Sequence, residues 1–453
     1  MTETLRKKLS DSKTARWSAL AVVSLTMMCA YFLSDCMAPL EDLLTTELEW
    51  TGTEYGLFSG AYSYFNVFLF MLILGGLVLD KMGVRFTGLG ACVVMVLGAS
   101  IKYYAVSSFF PVGGVLFGMN SQVVIACVGF AVFGIGAEIA GITVSKILVK
   151  WFTGHELALA MGLQLAIARL GTALALSCAL PLTRHFHNNV SAPILLGLAL
   201  LCVGLVTFIL YYIMDRKLDA SAEVIEGEEE ESFQLSDVVK VITNKGFWLI
   251  AILCVLFYSS VFPFMKFATK MMIYKYDVPE DLAGSIPSLL FFGTILLTPL
   301  FGSVYDRIGK GATLMIIGSF MLVVVHSLFA VPVLNVWWFA TINMVVLGVA
   351  FSLVPSAMWP SVPKIIPQNL LGTAYALIFY VQNIGLALVP ILIGWVIDNY
   401  TKTTLPDGTV SYDYSYAMFV SIGFSVLACL FALWLKREDK KKGYGLQNAN
   451  MTK

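Results

Sequence analysis

Charge is what this sequence is short of. Only 13% of its residues are Asp, Glu, Lys or Arg, against 58% hydrophobic, and the mean hydropathy is +0.82; a soluble domain with that balance could not keep its apolar surface out of water. The few charges also cancel, 29 basic against 29 acidic, which leaves no basic field for nucleic acid. Histidine is scarce. Of the four, His185 and His187 stand two apart and so point to different faces of a helix, while His155 and His326 are isolated, so no metal site is expected. The eight cysteines lie singly in apolar runs with no CxxC and read as small packing residues. HExxH, GxSxG and paired acids in an aqueous loop are all missing, which argues against an intramembrane enzyme. No cofactor is implied.

What is there is a succession of long apolar runs, about twelve of bilayer-crossing length, from 17–40 and 54–79 to 413–435. The first run is too long, and lacks the small-residue cleavage site, to be a removed signal peptide. Of the 29 lysines and arginines, 22 fall on the side of both termini, six on the other, and Arg169 within the membrane. Positive-inside bias therefore places both termini in the cytoplasm. The acidic run Glu41, Asp42, Glu47 and Glu49 and the polar loop Tyr400 to Tyr414 then face outward. This divides the chain into a cytoplasmic tail at 1–16, six spans over 17–214, a linker at 215–245, six spans over 246–435 and a second tail at 436–453. The linker carries EVIEGEEEES, a solvated tether, and then FQLSDVVKVI, a short amphipathic interfacial helix.

Two charges stand near the middle of their spans. Glu138 and Arg169 flank the polar turn WFTGHE, each about 15 residues from it, so both lie about 23 Å along their helices and share a depth. An ion at mid-membrane costs about 2.5–3.5 kcal/mol on insertion scales, so neither should face lipid. Each wants the other, as a structural ion pair, or a charged ligand. Gly134 and Gly141 beside Glu138, and Gly162 and Thr172 beside Arg169, leave room for the close approach of a helix or a substrate. Asp35, late in the first span, is a proton carrier, part of an outer gate or a hydrated rim residue.

The two halves repeat. GGLVLDKMGVR after the second span and FGSVYDRIGKG after the eighth match at Gly76/Gly302, Asp80/Asp306, Lys81/Arg307 and Gly83/Gly309, and each adds a basic residue just beyond, Arg85 in the first and Lys310 in the second. The glycine four before the acid would let two helices touch, and the Asp can accept from a helix N-terminus. This pair of loops resembles the signature of the major facilitator superfamily. The resemblance implies an all-α membrane protein with twelve transmembrane helices in two pseudo-symmetric six-helix bundles that rock about a central site. It gives Asp80, Arg85, Asp306 and Arg307 to gating. FGIGAEIAG with WFTGHELALAMGLQLAIARLGT, YSSVFPF at 258–264 and MWPSVPKIIPQNLLGTAYALIFYVQNIGLAL at 358–388 further resemble the family of lysosomal dipeptide transporters.

In that family a Glu of the fourth helix and an Arg of the fifth contact substrate, and those positions fall on Glu138 and Arg169. A dipeptide zwitterion needs an anion, a cation and neutral polar groups between. The expected assignment puts its ammonium near Glu138 and its carboxylate near Arg169, shared with Lys266 unless that residue snorkels outward. The amide goes to Asn66, Gln382 or Asn383, of which the adjacent last two cannot share a face. Trp359, Tyr375, Tyr62, Tyr258 and Phe264 are expected to wall the side chains, or to pack helices. The alternative cargo is an organic anion, mono- or dicarboxylate, held by Arg169 and Lys266 with Glu138 as a proton site. The resembled lysosomal protein is a uniporter, so uniport and proton coupling both stand. The N-terminal tail has no acidic dileucine signal, and EDLL at 41–44 is expected outside, which favours a plasma (inner) membrane address. The partners implied are the lipid bilayer and a small solute; an accessory subunit of the kind the lysosomal relatives use is not assumed.

Overall fold

Without water to bond to, a chain in hydrocarbon must satisfy its own peptide groups, and this one does so with helices. The computed structural model describes residues 12–111, 113–152, 157–221, 235–331, 335–367, 370–404 and 410–449. In chain order the helices are α1 (Lys13–Asp35), α2 (Glu41–Glu47), α3 (Gly52–Ala61), α4 (Tyr64–Phe68), α5 (Met71–Val106), α6 (Ser121–Phe152), α7 (Leu157–His185) and α8 (Ala192–Ser221). After the linker come α9 (Leu235–Ile242), α10 (Lys245–Tyr276), α11 (Glu280–Ala283), α12 (Ser285–Ile308), α13 (Gly311–Ala330), α14 (Trp337–Ile365), α15 (Leu371–Val396) and α16 (Ser415–Lys442). Two small hairpins, Val115–Leu116 with Met119–Asn120 and Lys402–Thr404 with Val410–Tyr412, decorate the end away from the termini.

Among the described residues, eleven helical stretches are long and apolar enough to cross a membrane. The second span is not one of them, because it is broken. Ser63 donates its N–H three residues back, to Gly60, and Phe70 takes a left-handed φ of +55°, so the run expected as one helix over 54–79 is α3, α4 and the start of α5. The first span also ends early. Pro39 opens a 3₁₀ turn at Ala38–Leu40, and the acidic stretch beyond it, expected as a loop, winds into α2. EVIEGEEEES and the turn residues 153–156 lie outside the described residues; the interfacial helix after the tether is α9, with Val239 and Ile242 exposed.

The spans sort into two six-helix bundles, α1 to α8 and α10 to α16, and the repeat seen in sequence has a backbone counterpart. Gly83 and Gly309, each three residues after the repeated Asp, both sit at φ +75°, a conformation that glycine adopts without a Cβ penalty. The bundles touch along a seam away from the termini. There α3 lies directly on α15: a Cβ on Gly56 would come within 2.4 Å of the Pro390 carbonyl oxygen, and one on Gly60 within 2.2 Å of that of Ala387. On the other flank a Cβ on Gly284 would meet the Leu176 carbonyl at 2.1 Å. Toward the termini the bundles part. Gly76, Gly162 and Gly302 have nothing within 4 Å of an added Cβ, so the helix contact expected at the two signature glycines is not made in this conformation.

The last span runs further than its apolar stretch, to Lys442, and the segment after Gly443 turns back on its own bundle. Lys310 and Gly311 donate their N–H groups to the Gln447 and Leu446 carbonyls at 2.9 and 2.8 Å. Lys364 adds bonds to the carbonyls of Gly445 and Asn448, and Leu446 is fully buried. All eight cysteines are free. Six pack as expected, but Cys178 and Cys202 are exposed on helix surfaces.

Candidate functional site

Glycine contacts place the two charges. On α6, a Cβ on Gly134 would be 2.0 Å from the Tyr62 carbonyl oxygen, so α6 rides against the break in the second span. One turn later Glu138 faces the same residue: Tyr62 donates its hydroxyl to Oε1 at 2.9 Å. On α7 the tight glycine is Gly171, 2.2 Å by the same measure from the Met28 carbonyl oxygen, not Gly162. That contact sets Arg169 beside α1, where its guanidinium lies 5.4 Å from the Tyr31 ring.

Among the described residues no ion pair joins Glu138 to Arg169. The guanidinium instead lies among three rings, with Phe262 at 5.3 Å and Phe291 at 5.8 Å completing the set from the second bundle. Arg169 therefore stands between the bundles with its charge met by ring faces, an interaction worth about 0.5–2 kcal/mol and no substitute for a carboxylate. Tyr31 lies within electrostatic reach of Arg169, Glu138 and Asp35. It is the residue these charges share, and sequence reading passed over it; its place one turn before Asp35 was the available signal.

Lys266 does not snorkel. Its ammonium holds Asp35 Oδ1 at 2.5 Å, and Thr172 donates to the other oxygen at 2.8 Å, with both charged side chains less than one-fifth exposed. Asp35 is thus an inter-bundle contact and not a hydrated rim residue. The same face of α10 repeats the arrangement at each turn. Lys270 meets Glu41 at 3.3 Å, and Tyr274 donates to Asp42 at 2.7 Å. Elsewhere on the seam Asp398 accepts from the Gly52 and Thr53 N–H groups at 2.7 and 2.6 Å, capping α3 from the opposite bundle. Ser177 donates to Ser288 at 3.0 Å. These partners were missed because pairing across bundles leaves no local spacing to read.

The second bundle contributes aromatic faces. Tyr258 stacks on Phe262 at 5.5 Å and accepts from the Trp359 indole at 3.3 Å. Trp359 in turn stacks on Phe379 at 4.9 Å, and Tyr375 donates to the Trp359 carbonyl at 3.2 Å. Phe264 turns away into its own bundle, against His326 and Phe329. The amides differ in what they have left. Asn383 is committed at both ends, accepting from Ser63 at 2.8 Å and donating to Phe379 at 3.0 Å. Gln382, on the neighbouring face, accepts from the Cys254 thiol. Asn66 donates to the Gly134 carbonyl at 3.1 Å, and its buried Oδ1 has no partner.

At the termini end Arg85 approaches Asp215 at 3.7 Å. Asp215 is fully buried and also takes Lys150 at 2.8 Å, the Trp151 indole at 3.1 Å and the Tyr211 hydroxyl at 2.9 Å. Arg85 therefore ties its loop to its own bundle. Asp306 is half-buried and Arg307 exposed; the Asp80 side chain lies outside the described residues.

A family model described as Major Facilitator Superfamily matches residues 23–390 and 267–450. A mouse protein (Mus musculus) described as lysosomal dipeptide transporter MFSD1 is 28% identical over 90% of this chain and 86% of its own length. Its human counterpart (Homo sapiens) is 30% identical over 83% of this chain and 79% of its own. The crystal structure of a bacterial homologue of the human lysosomal transporter Spinster, inward-facing and unoccupied, superposes with a TM-score of 0.72 at 12% identity, over 95% of this chain and 98% of that one. Both bundles and both glycine-hinged loops fall within the matched residues, and on that ground the chain belongs to the Major Facilitator Superfamily.

Proposed function

We propose that this transporter carries dipeptides or similarly small zwitterions by alternating access. The observation that carries the reading is the separation of Glu138 and Arg169: opposite charges at one level of the first bundle, each met by a neutral aromatic group and not by the other. Half-buried ions left in that state are completed by a ligand that brings both opposite charges. The ammonium goes to Glu138 and the carboxylate to Arg169, and the peptide amide falls to Gln382 or to the free acceptor of Asn66. Lys266 is assigned to the seam with Asp35. That assignment weighs against the organic-anion alternative, which needs Lys266 as a second cation. The relatives described as dipeptide transporters support the same cargo.

The seam is closed away from the termini, and the charge bias of the loops puts the termini in the cytoplasm. On that reading the conformation is inward-open, with Asp35–Lys266, Glu41–Lys270 and Asp398 as the outer gate and the Asp80 and Asp306 loops as the inner one. The membrane proposed is the plasma (inner) membrane.

The test is thermal stabilisation of the purified protein by a dipeptide panel, free amino acids and small carboxylates, repeated with Glu138→Gln and Arg169→Ala. A ligand that binds only the folded state raises the melting temperature by mass action. Stabilisation by dipeptides that both substitutions abolish is the expected result. Stabilisation by carboxylates alone, surviving Glu138→Gln, overturns the dipeptide reading in favour of the organic anion.

A further inference from the structure

The two bundles divide the chemistry of the site unequally. Glu138 and Arg169 both belong to the first bundle, while the second reaches Arg169 with rings, Phe291 at 5.8 Å and, nearer, Phe262 at 5.3 Å. From that ring an unbroken series of aromatic contacts leads away. Phe262 stacks on Tyr258 with the planes 12° apart and meets the edge of Phe351. Tyr258 holds Trp359 through the indole N–H, and Trp359 lies between Phe379 and Tyr375. The indole N–H and the Tyr375 hydroxyl are thus spent within the wall, which presents carbon faces. No acidic residue occurs in α10, α14 or α15. Their lysines are already engaged: Lys266 by Asp35, Lys270 by Glu41, Lys245 by Glu438, and Lys275 and Lys364 by backbone carbonyls.

We infer that this wall is the subsite for the side chain of the carboxyl-terminal residue of a dipeptide, and that it selects large apolar and aromatic side chains, with Trp359 the specificity-determining residue. The inference rests on the proposed dipeptide reading, because it takes the substrate carboxylate to be at Arg169, where the wall begins. A side chain leaving the carbon next to that carboxylate meets Phe262 and Tyr258 first and Trp359 beyond them. An acidic side chain finds no cation there except Arg169, already engaged by the carboxylate. A basic one finds no acid and has Arg169 as a like-charged neighbour. Apolar and aromatic groups lose nothing on leaving water and gain ring contact.

The experiment compares binding of Ala-Ala, Ala-Leu, Ala-Phe, Phe-Ala, Ala-Asp and Ala-Lys to the purified full-length protein, with Trp359→Ala and Trp359→Phe alongside. Ala-Phe and Ala-Leu are expected to bind roughly tenfold tighter than Ala-Ala, the scale a hydrophobic pocket can deliver, with Phe-Ala gaining less and Ala-Asp and Ala-Lys nothing. Trp359→Ala should bring Ala-Phe to within about threefold of Ala-Ala, with a retained cooperative melting transition showing that the variant is folded. Trp359→Phe should keep the preference. Equal binding of all six peptides overturns this inference and leaves the dipeptide reading standing. An Ala-Phe advantage that survives Trp359→Ala also overturns it. Binding of none of them, with carboxylates still bound, takes down both.

Discussion

Lys270 and Glu41 face each other at 3.3 Å from opposite bundles, with 2% and 1% of their side chains exposed. An ion pair so buried contributes little net stability over an apolar pair, but breaking it strands a charge at a cost of about 3–5 kcal/mol. In a transporter the stranding has a direction. Whatever separates the bundles at this end must hydrate both ions at once, so the pair favours the closed seam only while both partners are present.

Lys270→Met is accordingly expected to lower stability by about 3 kcal/mol or more, seen as a fall in melting temperature. Lys270→Met combined with Glu41→Gln should recover most of the loss. A double variant as unstable as the single one would show that Lys270 acts by packing and not by charge.

Ser177 and Ser288 bring their hydroxyls to 3.0 Å on the other flank of the seam. In a background with Cys178→Ser, cysteines at the two positions should cross-link under oxidation and stop uptake into vesicles. Reductant should restore it. Uptake that continues in the cross-linked protein would mean that this flank does not open during the cycle.

Asp215 gathers Lys150, Trp151, Tyr211 and Arg85 with its own side chain fully buried. Asp215→Asn leaves buried cationic and hydrogen-bonding groups short of their anion, and a loss of about 3 kcal/mol is expected, with ligand affinity changed less than twofold because the cluster lies a helix-half away from Glu138. A large loss of affinity at unchanged stability would place Asp215 in the transport pathway instead.

Gly171→Ala and Gly162→Ala test opposite faces of one helix. The first sets a methyl 2.2 Å from the Met28 carbonyl oxygen, while the second enters open space. The first should cost about 1–3 kcal/mol as overpacking and displace Arg169 from Tyr31. The second should be neutral or slightly stabilising. Melting temperatures and dipeptide binding of the pair decide it, and equal behaviour would sink the proposed helix contact.

The two-bundle architecture could be read from the chain because each span is a long apolar run and the Asp loops repeat at matching spacing. Glu138 and Arg169 stood out because a charge in an apolar run is costly wherever it faces. What stayed hidden depends on partners distant in sequence. The break at Tyr62–Ser63 has no proline to announce it. Glu41 looked like a loop acid because its lysine is 229 residues away. Lys266 looked free for substrate because Asp35 had been weighed alone. Gly162 was preferred to Gly171 because helix rotation on α7 is set by α1, which spacing within α7 does not report.

The docked segment after Gly443 gives the two signature loops different mechanical characters. The first is anchored through Arg85 and Lys150 on Asp215, by charges; the second is anchored through the Lys310 and Gly311 N–H groups on peptide carbonyls. The first tether hangs on one buried carboxylate, which salt screens little but whose removal strands its cations; the peptide bonds of the second need no ionised group. The two hinges are therefore separable: a single change at Asp215 loosens that of one bundle while the other keeps its stiffness, and half of the rocking motion can be altered alone.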